Sequence, residues 1–348
     1  MASDRPSHGA PAGDALPPRD KRPLSPDELL PPVEPPSAGF LVQLFLVPGL
    51  IVAIIVGVWL TFHWLAHLGQ DPQAYVRTLR RDNEGRWQAA LNLANDLRGP
   101  GGAELKADAA LATELGRILD DESKSGRTGE QSRMLRVYLC RALGEFTCPE
   151  ALPPLVSRAR DVDQAQIARA AVEALAVIDG NLGKGDDAAA KERVDAVLAA
   201  SRSADAPLRS AAGFTLGVIG SGAPAAGERL HGLLGDENDD VRYNAALALA
   251  RLGDRGSLDT LEEMLSLADD PAGADESADD LARSKRYKRA LVVLNALRGL
   301  ALLVDASSEP LPPAVLERVK ALAADSVAEI RSAVTALETK LARVAPEA

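Results

Sequence analysis

Three stretches of the chain carry the same helical face. They are Ile167–Gly180 ("IARAAVEALAVIDG"), Leu208–Gly222 ("LRSAAGFTLGVIGSG") and Val241–Asp254 ("VRYNAALALARLGD"). Aligned on their first residues, they share an aliphatic starter at Ile167, Leu208 and Val241. Four residues on come Ala171, Ala212 and Ala245; eight on come Leu175, Leu216 and Leu249; eleven on come Ile178, Ile219 and Leu252. Those offsets fall on one side of an α-helix. The small residue in the second column lets a neighbouring helix approach, and Gly220 and Gly253 end two of the helices. A weaker copy, "IRSAVTALETKL", starts at Ile330. Each of the three strong copies follows a shorter amphipathic stretch: "PEALPPLVSRAR", "AKERVDAVLAAS" and "AAGERLHGLLGD". The unit is therefore a pair of antiparallel helices. One pair cannot bury its own apolar face, so pairs must stack into an array.

This pattern predicts an all-α solenoid of about seven helix pairs over residues 71–345. The second helices are expected near 84–98, 130–144, 164–178, 206–219, 238–252, 284–304 and 327–343, with degenerate first and last pairs as caps. Composition agrees. Hydrophobic residues make up 46% of the chain but aromatics only 3%. The apolar content is mostly Ala, Leu and Val, which suits helices better than sheets. A net charge of −11 argues against general nucleic-acid binding, which needs a basic face. Two cysteines, Cys140 and Cys148, are too few for a disulfide scaffold, and their spacing matches no metal motif. They read as unpaired thiols in or near a core.

The repeats resemble the HEAT family, in particular the short bacterial kind first noted in phycobilisome lyases. Such units carry an Asp in the turn, then Val-Arg, then Ala-Ala, then Leu-Gly-Asp. Asp240, Val241, Arg242, Ala245, Ala246, Leu252, Gly253 and Asp254 match that order. The 208 copy keeps Leu208-Arg209 and Ala211-Ala212; the 167 copy has Ala168 for the Arg and Asp179 for the Gly. The likeness is strongest over 149–255. It implies an armadillo-type α-solenoid. It also implies that Arg209, Arg242 and Arg331 pair with turn carboxylates of neighbouring repeats.

Ahead of the array lies a different segment. Between Pro35 and Gln70 there is no Asp, Glu, Lys or Arg, and "GFLVQLFLVPGLIVAIIVGVWLTF" runs from Gly39 to Phe62. As a helix it spans roughly 36 Å, enough for a hydrocarbon core of about 30 Å. It is too long, and too far from the N-terminus, for a signal-peptide core. A single transmembrane helix with its interfacial end is expected over 39–68. Pro48 and Gly49 are candidate kink residues. Trp59, His63, Trp64 and His67 crowd one end as interfacial anchors; His63 and His67 also have a metal-ligand spacing, but no second ligand pair is nearby. Residues 1–38 hold ten of the 23 prolines and read as a disordered, Pro-rich spacer. The positive-inside balance leans slightly to a cytoplasmic array, in what the bacterial likeness implies is an inner membrane.

No catalytic residue, metal site, cofactor site or small-molecule substrate is expected. His231 is the one histidine of the folded region, too little for a Ser-His-Asp or Cys-His arrangement. "GNLGKGDD" at 180–187 is not a phosphate loop, and carboxylates sit at turns and helix starts, where they cap. One region departs from the repeat: an acidic insertion over 268–282, containing "DDPAGADESADD", followed by Arg283, Lys285, Arg286, Lys288 and Arg289. Five cations at a helix start oppose its dipole and need anionic partners. The acidic loop is the nearest; lipid headgroups or an acidic protein are the alternatives. The expected function is a non-enzymatic, membrane-anchored scaffold for protein partners. Alternatives are a rigid assembly element of a membrane complex and a bilin-lyase-like enzyme.

Overall fold

The computed structural model describes residues 37–67, 72–83, 85–183, 187–267, 280–307 and 309–344. The Pro-rich tail up to residue 36, Lys184 and most of the acidic insertion lie outside the described residues. Two units separate, Met1–Leu65 and Ala66–Ala348.

The described part of the first unit belongs to helix α1 (Ala38–His67), whose last two residues fall past the boundary. Among the described residues it is the one helix long and apolar enough to cross a membrane, over Val42–Phe62. It runs without interruption through Pro48. Phe45, Ile55, Trp59 and Phe62 are exposed, as a helix apolar on all sides must leave them outside a protein core. Thr61 Oγ1 donates to the Gly57 carbonyl at 2.7 Å, which satisfies a hydroxyl that would otherwise need water.

The second unit holds fifteen α-helices and no strand among the described residues. Seven antiparallel pairs account for all but α4 (Ala103–Lys106), a single turn. The pairs are α2 (Pro72–Arg80) with α3 (Arg86–Arg98), α5 (Ala109–Lys124) with α6 (Glu130–Gly144), and α7 (Leu152–Ala159) with α8 (Ala165–Leu182). Then follow α9 (Asp187–Ala200) with α10 (Ala206–Ile219), α11 (Pro224–Leu233) with α12 (Asp239–Arg251), α13 (Leu258–Leu265) with α14 (Asp280–Ala306), and α15 (Pro313–Ala321) with α16 (Ala328–Val344). Each second helix packs on the next, from α3 through α6, α8, α10, α12 and α14 to α16.

The columns read from the sequence are the buried faces. Ile167, Leu208, Val241, all three column alanines and all three column leucines are buried; Ile219 and Leu252 close the column half-buried. Burying one leucine side chain contributes about 2 kcal/mol. Helix α12 joins two hydrophobic clusters. Val241, Ala245, Ala248 and Leu249 face the larger one, which begins at Leu79. Tyr243, Ala246 and Ala250 face the other, which ends at Leu337.

The tightest approaches are made by glycines outside those columns. A Cβ on Gly217 of α10 would lie 2.5 Å from Ala248 Cβ and 2.6 Å from its Cα. One on Gly144 of α6 would lie 2.8 Å from Ala174 Cβ. The two stop glycines differ in cause. Gly253 takes a left-handed φ of 77°. Gly220 has an ordinary φ of −86°, and a Cβ there would meet the Leu216 carbonyl oxygen at 2.3 Å.

Side-chain caps come from Asp108, Asp205, Asn238 and Asp254. The turn residue Asp240 is not a cap; Asn238 takes that role for α12. Carboxylates are also used inside the array. Glu122 accepts from Ser132 Oγ at 2.6 Å and from Arg86 Nη1 at 2.8 Å, tying the first two pairs together.

Both cysteines are free and buried. Burial pushes the Cys140 thiol up to about 12 and the Cys148 thiol up to about 11. Because the thiolate is the nucleophile, neither should react with a disulfide reagent at neutral pH while the array is folded. Mixing the native chain with such a reagent is expected to give no fast colour change, and denaturant is expected to release two equivalents.

Candidate functional site

Helical spacing leaves a stripe of exposed and half-buried residues on the second helices from α6 to α14. On α6 it contains Gln131, Tyr138 and Arg141; on α8, Arg169, Glu173 and Val177; on α10, Pro207, Ser210 and Phe214. On α12 it contains Asp240, Asn244, Leu247 and Arg251, and on α14 Lys288, Leu291, Asn295 and Arg298.

The stripes of α8, α10 and α12 line one groove, and those of α10, α12 and α14 touch directly. Asn244 Nδ2 donates to Ser210 Oγ at 2.7 Å, and Ser210 Oγ donates to the Asp240 carbonyl at 3.1 Å. The Arg251 guanidinium sits 5.2 Å from the centre of the Phe214 ring on the adjacent helix. Lys288 Nζ is 3.4 Å from Asp240 Oδ1. At the other end, Trp87 of α3 stacks with Tyr138 at 6.1 Å, and Arg141 lies 5.4 Å from the same tyrosine ring.

This surface is unusual for the molecule in two ways. Outside α1, the large exposed hydrophobic residues among those described are Val177, Phe214, Leu281, Tyr287 and Leu291. Three of them stand on these stripes, at 44%, 42% and 43% exposure, and the other two lie at the start of α14. Arg141, Arg251 and Arg298 are exposed on the stripes, and none has a carboxylate partner among the described residues. Aromatic residues and arginine are what protein interfaces concentrate.

The basic run at the start of α14 divides. Arg289 is turned inward: its Nη2 and Nη1 donate to Asp325 Oδ2 and Oδ1 at 2.5 and 3.2 Å, and its Nε to the Leu267 carbonyl at 3.0 Å. As a contact for a partner or lipid it is corrected here, because a guanidinium 9% exposed and paired with a carboxylate 1% exposed has no free donor face. Arg286 is half-buried and donates to Ser326 Oγ at 3.2 Å. Arg283 pairs with Asp280 of the same helix, Lys288 pairs with Asp240, and Lys285 is exposed. The anions found for Arg289, Lys288 and Arg283 thus come from α16's turn, from α12 and from α14 itself. The residues of the acidic insertion between 268 and 279 lie outside the described residues.

The arginines that follow the column starters share a geometry that spacing did not reveal. Each donates Nη1 to the carbonyl six residues before it: Arg209 to Ser203 at 3.1 Å, Arg242 to Asp236 at 3.1 Å, and Arg331 to Asp325 at 2.7 Å. Arg209 also grips Asp236, in the turn of the next pair, through Nε at 2.8 Å and Nη2 at 2.9 Å. Arg242 reaches Glu263 on the following first helix at 2.7 Å. Arg331, in the last pair, donates to the loop carbonyls of Asp325 and Ser326 among the described residues. Asp236 and Asp325 occupy equivalent turn positions, five residues before Val241 and Ile330. Arg209 and Arg289 therefore make the same kind of bond between consecutive pairs.

The Arg209 hydrogen bonds hold the Asp236 carboxyl below its ordinary value of 3.8, against a smaller opposing effect of burial. A depressed carboxyl contributes stability that is present above the unfolded value and is lost as pH falls through the folded one. Asp236→Asn should cost about 1.5–3 kcal/mol in a urea melt near pH 7. That gap from wild type should shrink as the pH is lowered below 3.8.

His231 is a surface residue whose Nε2 lies 2.8 Å from Asp254 Oδ2. Among the described residues no group of three or more His, Cys, Asp or Glu side chains is arranged to hold a metal. Of the interfacial anchors, Trp59 is exposed near the C-terminal end of α1. The backbone at His63, Trp64 and His67 is helical, and their side chains lie outside the described residues.

Paired helices stacked in this order define an α-helical repeat protein. Within this array, the family model described as HEAT repeats matches residues 194–282, from α9 into α14. No curated protein matches the chain. Similar solved structures include human deoxyhypusine hydroxylase in complex with glycerol, 19% identical over 79% of this chain and 96% of that one, with a TM-score of 0.31. YibA of Escherichia coli is 13% identical over 81% of this chain and 96% of that one, with a TM-score of 0.37. An engineered protein is 16% identical over 78% of this chain and 99% of that one, with a TM-score of 0.32.

Proposed function

We propose that the protein is a membrane-anchored scaffold, in which α1 spans the bilayer and the second-helix face of the repeat array receives a protein partner. The observation that carries the binding half is the placement of Val177, Phe214 and Leu291 on one ladder of stripes, beside arginines that no carboxylate among the described residues neutralises. The exposed residues at the start of α14, Leu281, Lys285 and Tyr287, extend the same face toward the acidic insertion. The membrane half rests on the length and apolarity of Val42–Phe62. Arg77, Arg80 and Arg81 stand nearer the end of α1 than Arg22, Lys21 and Arg19 stand to its start, which favours a cytoplasmic array.

A photo-crosslinking amino acid placed at Phe214 tests the binding half in intact membranes. Discrete adducts from position 214, and none from Lys320 on the first-helix layer, are the expected outcome. Equal labelling from both positions, or none from either, would sink the scaffold reading. Protease treatment of sealed vesicles tests the side. The rigid-assembly reading has its own support in the bonds between consecutive pairs, Arg209 to Asp236, Arg242 to Glu263 and Arg289 to Asp325. It predicts adducts that persist at constant yield through growth, where a transient partner gives adducts that vary.

A further inference from the structure

We infer that the occupant of the second-helix face is an acidic segment of another protein, extended and carrying apolar side chains. This rests on the scaffold reading and adds the chemistry of the partner. The whole chain is acidic, with a net charge of −11. The stripes from α6 to α14 have the opposite balance: Arg141, Arg169, Arg251, Lys288 and Arg298 stand against Glu173 and Asp240. Asp240 is taken by Lys288, and Glu173 lies 3.6 Å from Arg169. Among the described residues, Arg141, Arg251 and Arg298 remain without a carboxylate, on the first and the last two helices of that series.

Two of those three arginines are already oriented. Arg141 lies over Tyr138 and Arg251 over Phe214. A guanidinium resting on a ring keeps its in-plane N–H groups directed outward, where a carboxylate can take two of them at once. The ring also limits the entropy lost when that bond forms. Between these cations stand Val177 on α8 and Phe214 on α10, with Leu291 beyond on α14. The ligand that fits places carboxylates at both ends and apolar side chains between. Four steps between adjacent helices at about 8–10 Å span roughly 32–40 Å. An extended strand covers that in about 10–12 residues. A nucleic acid offers anionic charge and bases that stack on rings, but no aliphatic side chains for Val177 and Leu291.

The test uses the full chain in discs of zwitterionic lipid, with fluorescence anisotropy as the readout. The probe is a labelled peptide of about 12 residues alternating Glu with Leu or Phe. The comparison probes are its Lys-for-Glu counterpart, polyglutamate of the same length and a single-stranded oligonucleotide. The Glu peptide should bind, and raising the salt from about 50 to about 500 mM should weaken it, as an exposed ion-pair surface requires. The triple variant Arg141→Ala, Arg251→Ala, Arg298→Ala should raise its Kd about tenfold or more. Removing Arg117, Arg202 and Lys320, exposed cations off the face, should leave Kd unchanged; a melting curve for each variant separates loss of binding from loss of fold.

Equal binding of the oligonucleotide or of polyglutamate, an unaffected triple variant, or tighter binding of the Lys peptide each overturns the inference. So does the Glu peptide failing to bind. The scaffold reading fails separately. If cross-links from Phe214 capture a partner through a neutral or basic segment, the scaffold stands and the acidic ligand falls.

Discussion

Replacing Arg289 by Met is expected to destabilise the C-terminal part of the array by about 3–5 kcal/mol. The substitution leaves the Asp325 carboxylate, 1% exposed, without its two guanidinium donors. One donor remains, the Val327 N–H at 2.9 Å. A single backbone bond does not offset the desolvation of a full charge. The double variant Arg289→Met with Asp325→Asn should be less damaged than Arg289→Met alone, because a neutral amide keeps the Val327 bond and carries no buried charge. Arg289 and Asp325 sit among the elements of the second hydrophobic cluster. Repeat arrays lose structure locally before they lose it globally. Hydrogen exchange should therefore show lost protection from α14 to α16 while α6 to α10 stay protected. Uniform loss across the array would contradict this account, and so would a double variant worse than the single one.

The second large effect is steric. Gly217→Ala adds one carbon, yet that carbon falls 2.6 Å from the Ala248 Cα, which belongs to the α12 backbone. A side chain can rotate away; a helix backbone must move as a body. The expected cost is about 2–3 kcal/mol, or a fall in Tm of roughly 5–10 °C. Gly144→Ala, with 2.8 Å to Ala174 Cβ, should behave in the same direction. Gly227→Ala is the control. Gly227 lies in α11 with open space around its would-be Cβ, so alanine should raise stability by about 0.5–1 kcal/mol through helix propensity. Circular dichroism melts of the three variants check the order. A neutral Gly217→Ala would show that α10 and α12 do not pack as closely as described.

The repeat fold was readable because its signal is one-dimensional. Val241, Ala245 and Leu249 recur at helical spacing, and burial follows from that spacing whichever neighbour covers the face. The same pattern in the 167 and 208 copies placed two more second helices without any knowledge of tertiary contacts. The candidate site was readable only in part. Lys288 was singled out as a cation, and it does lie on the exposed face, but Arg289 one residue later is buried. A step of one residue is about 100° around a helix, so a cluster that is contiguous in sequence divides between surface and core. Phe214 carried no mark in the sequence. It reads as one more apolar residue in "AAGFTLG", and its exposure follows from lying off the column of Leu208, Ala212 and Leu216.

The amino-acid sequence alone therefore determined what depends on local periodicity and composition: helices, their pairing, their stacking, and the apolar run of α1. The tertiary structure decided what depends on which residue meets which across a helix interface. It put Gly217, outside the repeat columns, at the tightest crossing. It joined Arg209 to Asp236 and Arg289 to Asp325 across 27 and 36 residues. It also set Arg251 over Phe214 from different repeats. The reason is physical. Helical periodicity fixes the direction in which a side chain points, whereas distance, burial and charge pairing are set by the neighbour that arrives in front of it.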